Sequence, residues 1–392
     1  LRDRHSLIAH IDLDSFFVSV ARLADSALAG KKIAVVGGGD EEIFGGGGAE
    51  LGSVILSASY EARADGGHSA QPVKIALGLC PQLILVRARH GEYRKISRKI
   101  YEFLLNFTPE IEKFSIDEFF LNLRGTAYDA DALSFAAFLQ SEIMRRFSLP
   151  CSVGLSEAKL IAKLATSLAK PFGVRQILKS QIARELSAVP VAKFPGIGKA
   201  AQKTLGKYGI VTFGDALGHR EIFEKMGANG RKIFAALSGE DEGEVVSKRE
   251  RKSIGFGRSF APCADRDELR RKILILARHL AGEVLARGLK PATYDLKIRY
   301  KSREEFSHQI SQDRAFSLNL LSETALELFK LCDVKKGAQI IHVALNLSNF
   351  GGRSGGSLLF GEIDKKQQSL DRSLSRIWEK FGIEKLKKAS EI

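Results

Sequence analysis

A chain of 392 residues is too long for one ordinary hydrophobic core, which predicts two to four domains, and its 44% hydrophobic and 27% charged content is that of a folded globular protein. Sixty Lys and Arg against 46 Asp and Glu leave a formal charge of +14, so a polyanionic partner is expected. No stretch approaches the roughly 18 apolar residues of a membrane span and the N-terminus lacks a signal-peptide core, so nucleic acid is expected as the partner rather than an acidic membrane surface.

Residues 7–20 (LIAHIDLDSFFVSV) begin as an apolar strand carrying Asp-x-Asp and run into aromatic residues. Residues 33–36 predict a second short strand. The glycine-dense 37–48 suits neither a helix interior nor a regular strand. The apolar run 54–56 leads into SASYEAR, residues 73–79 have helical spacing, 82–87 read as a buried strand and 93–105 as a basic amphipathic helix. Residues 114–123 (FSIDEFFLNL) read as strand, acidic turn, strand, followed by a helix over 131–147, a strand over 151–156 and a helix over 157–169. This alternation predicts an α/β or α+β domain with one mixed sheet up to about residue 170. From 173 to 240 short helices are punctuated by glycine, and the acidic stretch 239–244 reads as a connector. Beyond 251 the spacing predicts a helix over 273–287 and half-exposed strands over 294–300 and 340–347. The composition GGRSGGS from Gly351 is that of a linker, and an amphipathic segment near 367–381 closes the chain.

Four cysteines, Cys80, Cys151, Cys263 and Cys332, are scattered without a CxxC pair. That argues against a disulfide framework or structural zinc site and fits a reducing cytoplasm. The sequence opens at Leu1 rather than Met, so a few residues are expected to have been removed or left out ahead of it.

Two acidic pairs carry the chemistry. Asp12 and Asp14 lie two apart on a strand, so they share a face. Asp117 and Glu118 are adjacent at an expected turn. Either pair alone fits a capped strand end. Together, framed by apolar and aromatic residues, they point to a cation, because carboxylates ending buried strands are costly to hold charged. Oxygen-only ligands suit magnesium. Tyr60 and Arg63, if they open a helix, present a hydroxyl and a guanidinium to a phosphate, and Lys159 at the start of another helix offers a further cation. FPGIGK (194–199) lets backbone N–H groups approach a DNA phosphate, as in a helix-hairpin-helix. Residues 247–301 hold fifteen Lys and Arg against six Asp and Glu, and the alternation of Lys297, Arg299 and Lys301 puts cations on one side of a strand.

In order and spacing, HIDLDSFFVSV, SASYEAR, SAQPVKIALGLCPQL, FSIDEFFLNL, CSVGLSEAKLIAKLATSLAKPFG, FPGIGK and RKSIGFGRSF resemble the Y-family translesion DNA polymerases, most of all their bacterial polymerase IV (DinB) branch, over residues 7–350. The resemblance implies an α+β multidomain right hand. Its palm would be residues 1–16 and 80–172, its fingers 17–79 and its helical thumb 173–240. A linker (241–250), a little-finger domain (251–350) and a flexible C-terminal tail (351–392) would follow.

It also implies a low-fidelity, template-directed polymerase that extends primers past damaged bases by two-metal nucleotidyl transfer, without proofreading. Asp12, Asp117, Glu118 and the carbonyl of Leu13 would hold two Mg2+ ions, with Mn2+ able to substitute. Phe16, Phe17, Ser57, Tyr60, Arg63 and Lys159 would contact the incoming dNTP, Phe17 as steric gate against a ribose hydroxyl, while Asp14 is structural. Gly196, Ile197, Gly198 and Lys199 of the thumb, with Lys252, Ser253, Arg258, Lys297 and Arg299 of the little finger, would hold primer–template DNA. Leu358, Leu359 and Phe360 loosely match the family's sliding-clamp peptide, although Gly356 replaces its usual glutamine. A cytoplasmic, nucleoid-associated monomer is expected. Departures from the family pattern are Ala21 after "SV", Phe119-Phe120 after the acidic pair and Phe172 in PFG. Two alternatives were weighed. A diguanylate cyclase, suggested by GGGDEE at 37–42, would need neither the glycine hairpin nor the basic unit. A catalytically inactive DNA-binding accessory subunit of a lesion-bypass complex would have lost the acidic ligands, and all three are present.

Overall fold

The computed structural model describes residues 7–37, 44, 53–241, 243–248, 250–351 and 361–391. The chain divides into two compact units, Leu1–Gly37 with Ser53–Arg249, and Gly38–Gly52 with Glu250–Ile392.

In the first unit the elements run β1 (Ile8–Leu13), α1 (Phe16–Ala24), β2 (Ile33–Val36), β3 (Ile55–Ala58), α2 (Tyr60–Ala64), α3 (Val73–Leu79), β4 (Ile84–Arg87), α4 (His90–Leu104), β5 (Ile111–Lys113), β6 (Glu118–Asn122), α5 (Ala132–Phe147), β7 (Cys151–Ser156), α6 (Lys159–Ala169) and β8 (Val174–Gln176). Five strands form one sheet in the order β5-β6-β1-β7-β8. As its middle strand β1 pairs antiparallel with both β6 and β7. That position explains its near-continuous apolar run, since both faces are covered. Helix α6 packs directly on β1 and β7. The close approach depends on Gly154, where a Cβ would stand 2.1 Å from the Ala162 carbonyl oxygen. Strands β3-β2-β4 form a small separate sheet with its own core of Ala34, Val36, Ile55, Ala62 and Val73.

Past residue 176 come short helices, α7 (Ile182–Leu186), α8 (Lys199–Gly206), α9 (Phe213–Leu217), α10 (Arg220–Lys225) and α11 (Gly227–Leu237). Their core of Phe194, Ile197, Phe213, Phe223 and Leu237 continues into the outer side of α6 through Ile161 and Leu164.

The second unit contains β9 (Ser253–Cys263), α12 (Arg266–Ala286), β10 (Thr293–Tyr300), β11 (Glu305–Ser311), α13 (Leu318–Cys332), β12 (Ile340–Ser348) and α14 (Gly361–Phe381). The four strands order as β11-β10-β12-β9, all antiparallel, and one face buries Leu296, Ile298, Val343 and Leu345 against α12 and α13.

Three expectations change here. Helix α12 starts seven residues before 273, because Asp265 caps it by accepting from the Asp267 and Glu268 backbone N–H groups. Strand β11 and helix α13 were not anticipated. Strand β11 (EFSHQIS) is an exposed edge strand without an apolar run. Residues 361–391 are not a flexible tail. Trp378 enters the core, Asp364 pairs with Arg314, Asp371 accepts from the Leu318 N–H at the start of α13, and buried Arg278 binds Glu391. Leu358, Leu359 and Phe360, and the glycine-rich segment 37–48 apart from Gly37 and Phe44, lie outside the described residues. All four cysteines are buried free thiols.

Candidate active site

The two acidic pairs meet because β1 and β6 are neighbours in register. Asp12 and Glu118 are direct cross-strand partners, and the Leu13 N–H donates to the Asp117 carbonyl at 3.1 Å, so the acidic turn is held against the end of β1. Together Asp12, Leu13 and Asp117 line a cavity of about 150 Å³ with Ser15, Phe16, Phe17, Leu56, Ser57, Arg63, Ser69 and Lys170. Burial pushes the Asp12 carboxyl up to about 7; Lys170 opposes the rise, and Glu118 and Asp117 add to it.

Each carboxylate already has a partner. Lys170 Nζ lies 2.6 Å from Asp12, Lys163 pairs with Glu118, and the Ser115 hydroxyl donates to Asp117 at 2.5 Å. As they stand, the three acids do not close a ready cage, and no group of three or more His, Cys, Asp or Glu among the described residues is poised as one. The donor set nevertheless fits a hard divalent cation that shares its ligands with a substrate phosphate. All three donors are carboxylates within electrostatic reach of one another, and each is countered now by a side chain that an incoming cation can displace.

Asp14 has a different place. Its buried carboxylate accepts from Ser152 Oγ, Tyr60 Oη and the Phe172 N–H, which locks the end of β1 to β7 and to the residue after Pro171. Phe16 is buried at 2% exposure, and Phe17 is the half-exposed ring of the pair. Tyr93 stacks on Phe17 at 4.1 Å with 10° between planes, and His90 meets it edge-on. Tyr60 spends its hydroxyl on Asp14 and lies outside the cavity lining, while its ring sits under the Arg63 guanidinium.

Lys159 is not brought to the cavity. It is buried, and its ammonium pairs with Glu112 on edge strand β5 and donates to the Glu244 carbonyl. The topology explains this. Strand β7 starts beside Leu13 (paired with Cys151) and ends beside Ile8 (paired with Ser156), so it leads away from the site. Helix α6 therefore returns toward the site and delivers Lys170, just beyond its C-terminal end, rather than Lys159 at its start. Sequence reasoning missed Lys170; the antiparallel order of β1 and β7 is the signal that locates it.

The expected DNA contacts divide in the same way. Gly196 (φ 100°), Gly198 and Lys199 are exposed at the turn before α8, but the Ile197 side chain is buried, leaving only its backbone to a partner. In the second unit Lys297 and Arg299 share the open sheet face with Ala344 and His342, their partners on β12. Arg258 does not. It pairs in register with Val343, so it points to the helix side, over the Phe256 ring. Lys252 and Ser253 are exposed at the start of β9.

Comparison with known proteins agrees with this architecture. Residues 11–167 match the impB/mucB/samB family and residues 251–360 match the impB/mucB/samB family C-terminal domain. The chain is 30% identical over 356 residues to the DNA polymerase IV of Lactococcus lactis subsp. cremoris, covering 90% of this chain and 96% of that one. It is 33% identical over 298 residues to the DNA polymerase IV of Methanoculleus marisnigri, covering 75% and 81%. A solved Y-family DNA polymerase chimera shares the fold, with a TM-score of 0.76 at 22% identity over 88% of this chain and 99% of the chimera. The fold and these matches define a DNA-directed DNA polymerase. The chain belongs to the impB/mucB/samB family, the Y-family DNA polymerases of the polymerase IV type.

Proposed function

We propose that Asp12, Asp117 and Glu118 are the catalytic carboxylates of a lesion-bypass polymerase and hold two Mg2+ ions, for which Mn2+ can substitute. The enzyme is a DNA-directed DNA polymerase that adds deoxynucleotides to a primer 3′ end, and its role is translesion synthesis in DNA repair. One observation carries the site: Asp12 is the cross-strand partner of Glu118, and with Asp117 it lines a cavity that Arg63, Lys170, Phe16 and Phe17 also wall.

In this reading Arg63, Lys170 and the Ser57 hydroxyl bind the triphosphate of the incoming nucleotide in that cavity. Lys170 exchanges Asp12 for phosphate oxygens as the nucleotide enters, which frees the carboxylate for its cation. Bound divalent ions supply the charge that activates the primer hydroxyl and stabilises the departing pyrophosphate. Phe17, held flat against Tyr93, fills the space beside the sugar. The exposed turn at Gly196–Lys199 and the open face carrying Lys297 and Arg299 grip the DNA backbone without reading its sequence. The enzyme works as a monomer in the cytoplasm, at the nucleoid, and docks on a sliding clamp through Leu358, Leu359 and Phe360. No helix among the described residues is long and apolar enough to cross a membrane.

Primer extension with MgCl2 tests the site. Asp117→Asn and Glu118→Gln should each lower the single-turnover rate by about a thousandfold or more while DNA affinity stays within a few-fold. Near-normal extension by either variant overturns the assignment.

A further inference from the structure

The cation that the site does not use has a second partner set. Lys159 and Glu112 are both almost fully buried, at 7% and 2% exposure. Their ion pair is closed by the segment that leaves the thumb. Lys159 Nζ donates to the Glu244 carbonyl at 2.8 Å, and the Val246 N–H donates to Glu112 Oε2 at 2.9 Å. Gly243 adopts φ +67°, and a Cβ there would meet Lys159 Cβ at 3.0 Å, so the backbone lies directly on the lysine stem. The ammonium also stands 4.9 Å from the centre of the Phe120 ring on β6. A buried charge pair with two main-chain hydrogen bonds is a costly way to hold a loop, because both ions give up water. A solvated connector would need none of it.

We propose that Glu112 and Lys159 are positioning residues, a clasp that pins residues 243–246 to the edge of the catalytic sheet and so sets the length of chain tethering the C-terminal unit to it. With the clasp closed, six residues (247–252) separate Val246 from Ser253, the first residue of β9. Released, the last main-chain point among the described residues bonded back to the thumb helices is Asp241, whose N–H donates to the Ala235 carbonyl, and eleven residues (242–252) separate it from β9. The effective concentration of a tethered module falls roughly as the −3/2 power of tether length. Lengthening the tether from six residues to eleven therefore lowers it about two- to threefold. The clasp acts on how tightly and for how long primer–template is held, and leaves the nucleotide-addition step alone.

The test uses the full chain with Lys159→Arg as the conservative control and three disrupting variants: Glu112→Gln, the paired Lys159→Met/Glu112→Leu, and Gly243→Ala. The last strains the segment where it lies on the lysine, at a positive φ and a 3.0 Å approach, without removing a charge, so it carries the test if the buried substitutions fail to fold. A Glu-specific protease reports the clasp, because the Glu244–Val245 bond it attacks is held by Lys159. Cleavage there should run at least about tenfold faster in each folded disrupting variant. Primer–template affinity should fall two- to threefold with fewer nucleotides added per binding event, and the single-turnover rate on saturating DNA should not change. Lys159→Arg, which keeps the donors, should retain affinity. Unchanged cleavage overturns the clasp, and faster cleavage with unchanged affinity overturns its role. A fall in the single-turnover rate at unchanged affinity overturns the proposal by placing Lys159 on the nucleotide.

Discussion

The two large sheets of this polymerase differ in how their faces are covered, and their polar residues sit in different places. In the catalytic unit β1 is covered on both faces, and polar chemistry is confined to the strand ends, where Asp12, Asp117 and Glu118 gather. In the C-terminal unit one face is core and the other is open. Along β10 the half-buried positions alternate with buried Tyr294, Leu296, Ile298 and Tyr300, and Lys297 and Arg299 occupy two of them. Chemistry at a strand end is concentrated, so single substitutions there should have large effects. Grip on an open face is distributed, so no single residue there should matter much.

The aromatic wall of the catalytic cavity offers the sharpest break. Phe17→Ala should open the space beside the sugar and raise relative kcat/KM for ribonucleotides by roughly a hundredfold, because a packed pocket has no slack for one more oxygen. Deoxynucleotide addition should survive, since no carboxylate or phosphate contact is altered. Tyr93→Leu removes the ring that stacks on Phe17 and should relax discrimination by about tenfold, the share due to holding the gate still. Matched single-nucleotide insertions of ribo- and deoxynucleotides measure both. If Phe16→Ala relaxes discrimination and Phe17→Ala does not, the gate is the other ring.

This contrast also explains what could be read in advance. The acidic pairs and most strands of the first unit follow from local pattern: a doubly buried strand is apolar, and the acids stand out at its end, whereas Phe17 was singled out only by the family resemblance. Lys170 was hidden because its place beside Asp12 depends on the direction in which α6 returns, a tertiary fact with no local signature. Arg258 was misplaced for the same kind of reason. Its face is fixed by pairing with Val343 across β12, not by the composition of RKSIGFGRSF. The C-terminal helix was read as amphipathic, but nothing local says that Trp378 and Asp371 find partners on α12 and α13.

The open face should yield gradually. If the enzyme neutralises on the order of five phosphates, log Kd against log[salt] has a slope of magnitude about 4 to 5. Lys297→Ala/Arg299→Ala should reduce that slope by about 2 and weaken primer–template binding roughly tenfold at moderate salt. Arg258→Ala, on the helix side, should leave the slope unchanged. An equal loss from Arg258→Ala and from the open-face pair would mean that the two faces do not divide the work.

The smallest expected effect lies back at the strand end, in stability rather than rate. In the metal-free protein burial raises the Asp12 carboxyl from its ordinary 3.8 to about 7, so the folded chain holds this proton more tightly than the unfolded chain does. The sign follows from linkage. Between about pH 4 and pH 7 the folded state binds more protons at this position, so its stability falls as pH rises through that window and stays reduced above it. Asp12→Asn cannot titrate and escapes the loss. Measured in EDTA, the variant should match wild type near pH 4 and melt several degrees higher at pH 8, while primer extension is lost. That outcome would show the acidic strand end as a local strain retained for catalysis, unlike the open face, where Lys297 and Arg299 keep their solvent and their pairing with Glu305. A melting difference of the same size at pH 4 and pH 8 would assign the change to packing instead, and the cost of holding Asp12 charged would have to be sought elsewhere.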